Sequence, residues 1–107
     1  MKRTLLASLS VLSALTLGTL ATPASADQAL ATAKNCMACH AIDKKVVGPA
    51  YKDVAKKYAG NAKAADMLAA KVVAGGSGVW GPVPMPANPQ VNAAEAKKLV
   101  AWVLSLK

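Results

Sequence analysis

Apolar positions recur at helical spacing along much of this chain, and no stretch alternates apolar and polar residues in the way a half-buried strand would. A first helix is expected from Asp27 to Asn35, with Asp27 near its start complementing the helix dipole. In a second, Tyr51, Val54 and Tyr58 fall at i, i+3 and i+7 on one face, and Gly60 ends the run. A third is expected from Asn61, a candidate N-cap, to Ala74; Ala64, Leu68 and Val72 form its stripe and Gly75-Gly76 stops it. The last begins at Asn92 with Glu95 three residues on, a capping-box pattern. Ala96, Leu99, Val100, Val103 and Leu106 then keep helical period, with Trp102 beside them as packing core. The expected class is all-α.

Between the last two helices the pattern breaks. "GGSGVWGPVPMPANPQ", residues 75–90, holds four prolines and four glycines in sixteen residues, too many breakers for a regular element. Helices hold it at both ends, and structured loops of that length are usually functional.

The first 26 residues have a different organisation. Lys2 and Arg3 precede an apolar run, "TLLASLSVLSALTLGTL", and then "TPASA", which together read as a secretory signal peptide cleaved after Ala26. The run is shorter than a spanning helix needs and is diluted by Ser, Thr and Gly, so a retained membrane anchor is disfavoured. The expectation is a periplasmic domain from Asp27 to Lys107, with no stable membrane insertion and room for one domain only.

That domain would have 81 residues, no Phe, two Trp and two Tyr, a size at which a core usually needs a disulfide, a metal or a cofactor. The whole chain carries a net charge of +8; without Lys2 and Arg3 it has 11 lysines against five acids, a balance of +6. No arginine remains for bidentate phosphate or base contacts, and no basic stripe is interleaved with aromatics. Nucleic acid is therefore a poor partner, and an acidic protein surface a better one. Lys44, Lys45, Lys52, Lys56 and Lys57 form either a solvated face or a docking patch.

Both cysteines and the only histidine lie within five positions, as Cys36, Cys39 and His40 in "KNCMACHAI". A redox dithiol of the thioredoxin kind sits at the start of a helix after a strand, whereas here a helix precedes it and no sheet is available. Structural zinc needs four ligands, and the domain offers three of the strong kind. C-x-x-C-H is the attachment signature of c-type haem. Its two thiols add across the porphyrin vinyl groups, and the histidine that follows is placed as the proximal iron ligand. Export agrees, because haem is attached to such proteins outside the bacterial inner membrane, and the porphyrin would fill the interior that the side chains leave short.

On "NCMACHAI", "VGPAYKDVA", "GSGVWGPVPMPAN" and the amphipathic C-terminal helix, the chain resembles the small bacterial class I cytochromes c, of the monohaem cytochrome c-551 type. The resemblance implies about four helices wrapped around one covalent haem c, with the first and last helices crossing. It implies Met85 as the sixth iron ligand and the Pro49 carbonyl as acceptor from the second nitrogen of His40. It also implies an indole N–H from Trp80 to a haem propionate, Asn88 hydrogen-bonded near the Met85 sulfur, and Lys71 as a weaker propionate candidate.

The other methionines fit the sixth position less well. Met37 lies between the attachment cysteines on the proximal side, and Met67 reads as core filling in the third helix. Met85, between Pro84 and Pro86, sits on stiff irregular backbone. The function that follows is electron transfer between redox partners with acidic docking surfaces, by a monomer that catalyses no reaction itself. The rival is a haem enzyme or gas-binding protein, peroxidase-like, with an open sixth position.

Overall fold

The computed structural model describes Gly18 and residues 23–107. Of the expected signal segment, residues 1–22 apart from Gly18 lie outside the described residues, and residues 23–26 open the first helix. Four helices follow in order: α1 (Pro23–Ala33), α2 (Tyr51–Lys57), α3 (Ala64–Ala74) and α4 (Ala93–Ser105), with a 3₁₀ turn at Cys36–Ala38 between the first two. Among the described residues the only β pairing is two isolated bridges, His40 with Lys45 and Gly76 with Met85. The class is all-α.

Local chemistry explains most of the boundaries. At α4, the Asn92 side chain accepts from the Glu95 N–H at 2.8 Å while the Glu95 carboxylate accepts from the Asn92 N–H at 3.1 Å, a complete capping box. α3 ends at Gly75, whose φ of 77° a residue with a Cβ rarely adopts. Several expected boundaries are corrected. α1 begins at Pro23 rather than Asp27, and α2 stops at Lys57, short of Gly60. α1 ends at Ala33 rather than Asn35, because Asn35 turns left-handed at φ 65° and closes the helix. α3 starts at Ala64 rather than beside Asn61, whose side chain instead accepts from the Lys63 N–H at 3.0 Å in a turn before the helix.

α4 is the hub, packed against α1, α2 and α3. Its buried face is Ala96, Leu99, Val100, Trp102 and Val103, the period read from the sequence, and Trp102 is 3 % exposed. On α3 the buried residues are Ala64, Leu68 and Ala69. Met67 does not join them. It is 43 % exposed, which corrects the core-filling expectation: one position before Leu68 is a rotation of about 100° off the stripe.

Completely closed positions are taken by alanines, Ala31, Ala64 and Ala96 among them, while Leu68, Leu99, Val100 and Val103 each keep a sliver of surface. These larger residues face a common cavity.

Candidate functional site

The left-handed turn at Asn35 drops the chain into the 3₁₀ turn, where the N–H groups of Cys39 and His40 both bond the Cys36 carbonyl, at 3.2 and 3.1 Å. One tight turn thus presents Cys36, Cys39 and His40 to the same cavity. Neither cysteine is in a disulfide, and both are half-buried. Burial pushes the Cys36 thiol above its usual range, against the opposing pull of hydrogen bonds from its own backbone and from Tyr51.

The segment that follows folds back over the histidine. Gly48 and Val47 donate to the Cys39 carbonyl at 2.7 and 3.2 Å, and the Tyr51 N–H donates to the Ala41 carbonyl at 2.9 Å. The Pro49 carbonyl then lies 2.8 Å from His40 Nδ1. A carbonyl only accepts, so Nδ1 carries the proton and Nε2 is left with a free lone pair, the form of imidazole that binds metal.

Two residues that sequence reasoning left out of the site complete this wall. Gly48, which the sequence offered only within "VGPAYKDVA", has no room for a side chain: a Cβ there would lie 2.4 Å from His40 Cε1. Tyr51, read only as a helix-face residue, stacks on the His40 ring with centroids 4.8 Å apart and 19° between planes, and meets Trp102 edge-on at 5.5 Å. Burial, more than the neighbouring Cys36, pushes the Tyr51 phenol well above its ordinary range, so it stays protonated. No local signal marks either, because Gly48 and Tyr51 meet His40 only when the separate segments come together.

Across the cavity, the long loop brings in Met85. Its N–H donates to the Gly76 carbonyl at 2.7 Å, and its carbonyl accepts from the Gly76 N–H at 3.0 Å. Gly75 lies under this pair; a Cβ there would come within 2.7 Å of the Met85 carbonyl oxygen and 2.8 Å of the Ala87 nitrogen. The Asn88 side-chain nitrogen donates to the carbonyls of Val72, at 2.8 Å, and Pro86, at 3.3 Å, and the Asn88 N–H donates to the Val73 carbonyl. That differs from the sequence expectation of a bond near the Met85 sulfur: the amide caps open carbonyls at the end of α3 and braces the loop.

Trp80 lines the cavity mouth at 41 % exposure, with the Lys57 ammonium 5.7 Å from its ring centroid, and Lys71 lines the same mouth. The structure thus brings Cys36, Cys39, His40, Pro49, Lys71, Trp80 and Met85 onto one cavity and holds Asn88 behind it. Among the described residues no three His, Cys, Asp or Glu side chains converge as a metal site of their own.

Residues 25–107 match the family model for cytochrome c. The chain belongs to the cytochrome c family. It is 55 % identical to cytochrome c-551 of Allochromatium vinosum over 87 % of this chain and 99 % of that protein. To cytochrome c-552 of Hydrogenobacter thermophilus it is 60 % identical, over 77 % and 83 % of the two chains. The crystal structure of Nitrosomonas europaea cytochrome c552 superposes with a TM-score of 0.73 at 54 % identity, covering 75 % of this chain and 99 % of that one. Class 1 cytochrome MtoD of Sideroxydans lithotrophicus is more distant, at 35 % identity and a TM-score of 0.61, over 76 % and 92 %.

The cofactor of a cytochrome c is covalent haem c, and the site fits it. The cavity is about 360 Å³, walled by Leu68, Val72, Leu99 and Val103, with two free thiols and a correctly protonated imidazole on one side. Cys36 and Cys39 are the attachment residues, and the chain is an electron carrier rather than an enzyme.

Proposed function

We propose that this cytochrome c carries single electrons in the periplasm through a haem whose iron is held by His40 and Met85. The observation that supports this reading best is that His40 and Met85 line one cavity, each fixed by backbone hydrogen bonds that do not depend on the other. Bound haem supplies an iron that gains and loses one electron. The chain supplies rigidity. His40 is locked in one tautomer by Pro49, backed by Gly48 and Tyr51, and Met85 is clamped to Gly76, so neither ligand has far to move when the charge changes. A thioether ligand and apolar walls favour the reduced state and raise the potential.

In this reading residues 1–26 are removed on export, and the mature chain begins at Asp27. Trp80 and Lys71, at the cavity mouth, face the haem propionates, with Asn88 stiffening the loop behind the Met85 sulfur. Bound haem would exchange electrons at the cavity mouth, which the exposed Val47, Val79 and Val83 surround, and the lysine excess would steer a monomer toward acidic redox partners in respiration or denitrification.

Carbon monoxide added to the reduced holoprotein tests the reading. A site closed by Met85 resists it, whereas prompt binding establishes an open sixth position and with it the peroxidase-like or gas-binding alternative.

A further inference from the structure

The loop that carries Met85 and the segment that carries the haem-attachment cysteines are far apart in sequence, and among the described residues the hydrogen bonds between them run through Gln90. Its side-chain nitrogen donates to the Lys34 carbonyl at 3.1 Å and to the Asn88 side-chain oxygen at 3.2 Å. In return, its backbone carbonyl accepts from the Lys34 ammonium at 3.0 Å. The amide has two protons, one for each acceptor, which no other uncharged side chain of that reach provides.

Both ends of this chain of bonds continue toward the cavity. Asn88 donates in turn to the carbonyl of Pro86, the residue after Met85, and to that of Val72 on α3. Lys34 stands two residues before Cys36, and its carbonyl lies 4.0 Å from the Cys36 sulfur. The Lys34 ammonium is itself held 3.2 Å from the Glu95 carboxylate, within the capping box of α4. The loop's other anchors, Gly76 with Met85 and the Asn88 N–H with Val73, all lead to the end of α3.

We propose that Gln90 is a positioning residue for the sixth iron ligand, tying the Met85 loop to the haem-attachment segment so that the two sides of the cavity hold a constant separation. The proposal rests on the reading of Met85 as that ligand. The bonds are exposed and individually weak, so their loss leaves the fold intact, but opening of a loop is a local event and responds to them directly.

The test is the rate at which imidazole enters the ferric holoprotein. Imidazole needs Met85 to leave first, so at high concentration the rate levels off at the rate of loop opening. Gln90→Ala is expected to raise that limiting rate about fivefold, since one or two exposed hydrogen bonds are lost. It should also speed hydrogen exchange of the Asn88 backbone amide, a readout independent of the iron. Leu104→Ala, a truncation on α4 away from this loop, serves as the comparison: it lowers the melting temperature at least as much and leaves the limiting rate unchanged.

An unchanged rate in Gln90→Ala, or an equal rise in Leu104→Ala, overturns the proposal while leaving Met85 as ligand. A wild-type protein that binds imidazole without any limiting rate overturns Met85 ligation, and this inference with it.

Discussion

The Pro49 carbonyl oxygen and His40 Nδ1 stand 2.8 Å apart, and this one bond decides which face of the imidazole is chemically available. A carbonyl oxygen has lone pairs and no proton to give, so the ring nitrogen that faces it is the protonated one. With the proton on Nδ1, Nε2 keeps its lone pair and is the nitrogen that the proposed iron ligation would use.

Gly48 is what allows the ring to sit there. Gly48→Ala would place a methyl 2.4 Å from Cε1 and 2.8 Å from Nδ1, so either the ring or the backbone must shift. The expected cost is about 1–3 kcal/mol, as for overpacking elsewhere. Chemical denaturation of the holoprotein measures it, and a variant as stable as the parent would show that the segment yields freely.

Covalent attachment makes a separate prediction. Two thioethers hold haem through unfolding, where axial bonds would release it. Mass spectrometry of the denatured protein should give one haem mass on a chain beginning at Asp27. A titratable thiol at Cys36 or Cys39 contradicts the attachment, and a different first residue contradicts the cleavage position.

Periodicity carried the helices because each buries one face, and the stripe on α4 is the one that packs. It was less informative at helix ends. Asn61 and Asn92 look alike as N-caps in sequence, but only Asn92 has a glutamate three residues on to complete the reciprocal pair. Met67 was misjudged because stripe membership on a short helix shifts with a single position. The attachment motif was legible, being local in sequence. Gly48, Tyr51 and Gln90 were not, since each acts through a contact made only when separate segments meet: Gly48 and Tyr51 on the His40 ring, Gln90 on Lys34.

The Glu95 carboxyl is held below its usual value of 4.5, chiefly by the Asn92 N–H and then by Lys34. A lowered folded-state value stabilises the folded protein above the unfolded value, and that contribution disappears as pH falls through the lowered one. Glu95→Gln keeps a capping side chain but removes the charge. Its stability should therefore fall less than the parent's between pH 5 and 3, on an approximate scale set by ordinary glutamate titration. Parallel acid profiles for the two proteins would assign the acid response to other groups.

If lysines steer docking, the bimolecular rate with an acidic redox partner should fall as ionic strength rises and the screening length shrinks to about 10 Å and below. Lys52 is expected to contribute less than Lys44 or Lys45, because its ammonium is already 2.7 Å from Asp43. Stopped-flow rates for the three Lys→Ala variants across a salt series provide the check. A rate indifferent to salt would place the docking energy on the exposed Val47, Val79 and Val83 instead.

Met85 and Met67 separate ligand from bystander most directly. Met85 is pinned by paired backbone bonds to Gly76, lies over Gly75 with no room for a side chain between them, and lines the same cavity as His40. Met67 is on α3, largely in solvent. Met85→Ala should abolish the far-red charge-transfer band of ferric Met-ligated haem, lower the reduction potential, since a thioether favours the reduced iron, and open the reduced protein to carbon monoxide. Met67→Ala should leave band, potential and carbon monoxide resistance unchanged, and because the side chain is exposed its effect on stability should stay within about 0.5 kcal/mol. Visible absorption and a redox titration on the two variants are sufficient. A band that survives in Met85→Ala and disappears in Met67→Ala would move the ligand from the loop to the helix, which would require α3 to rotate its exposed face into the cavity.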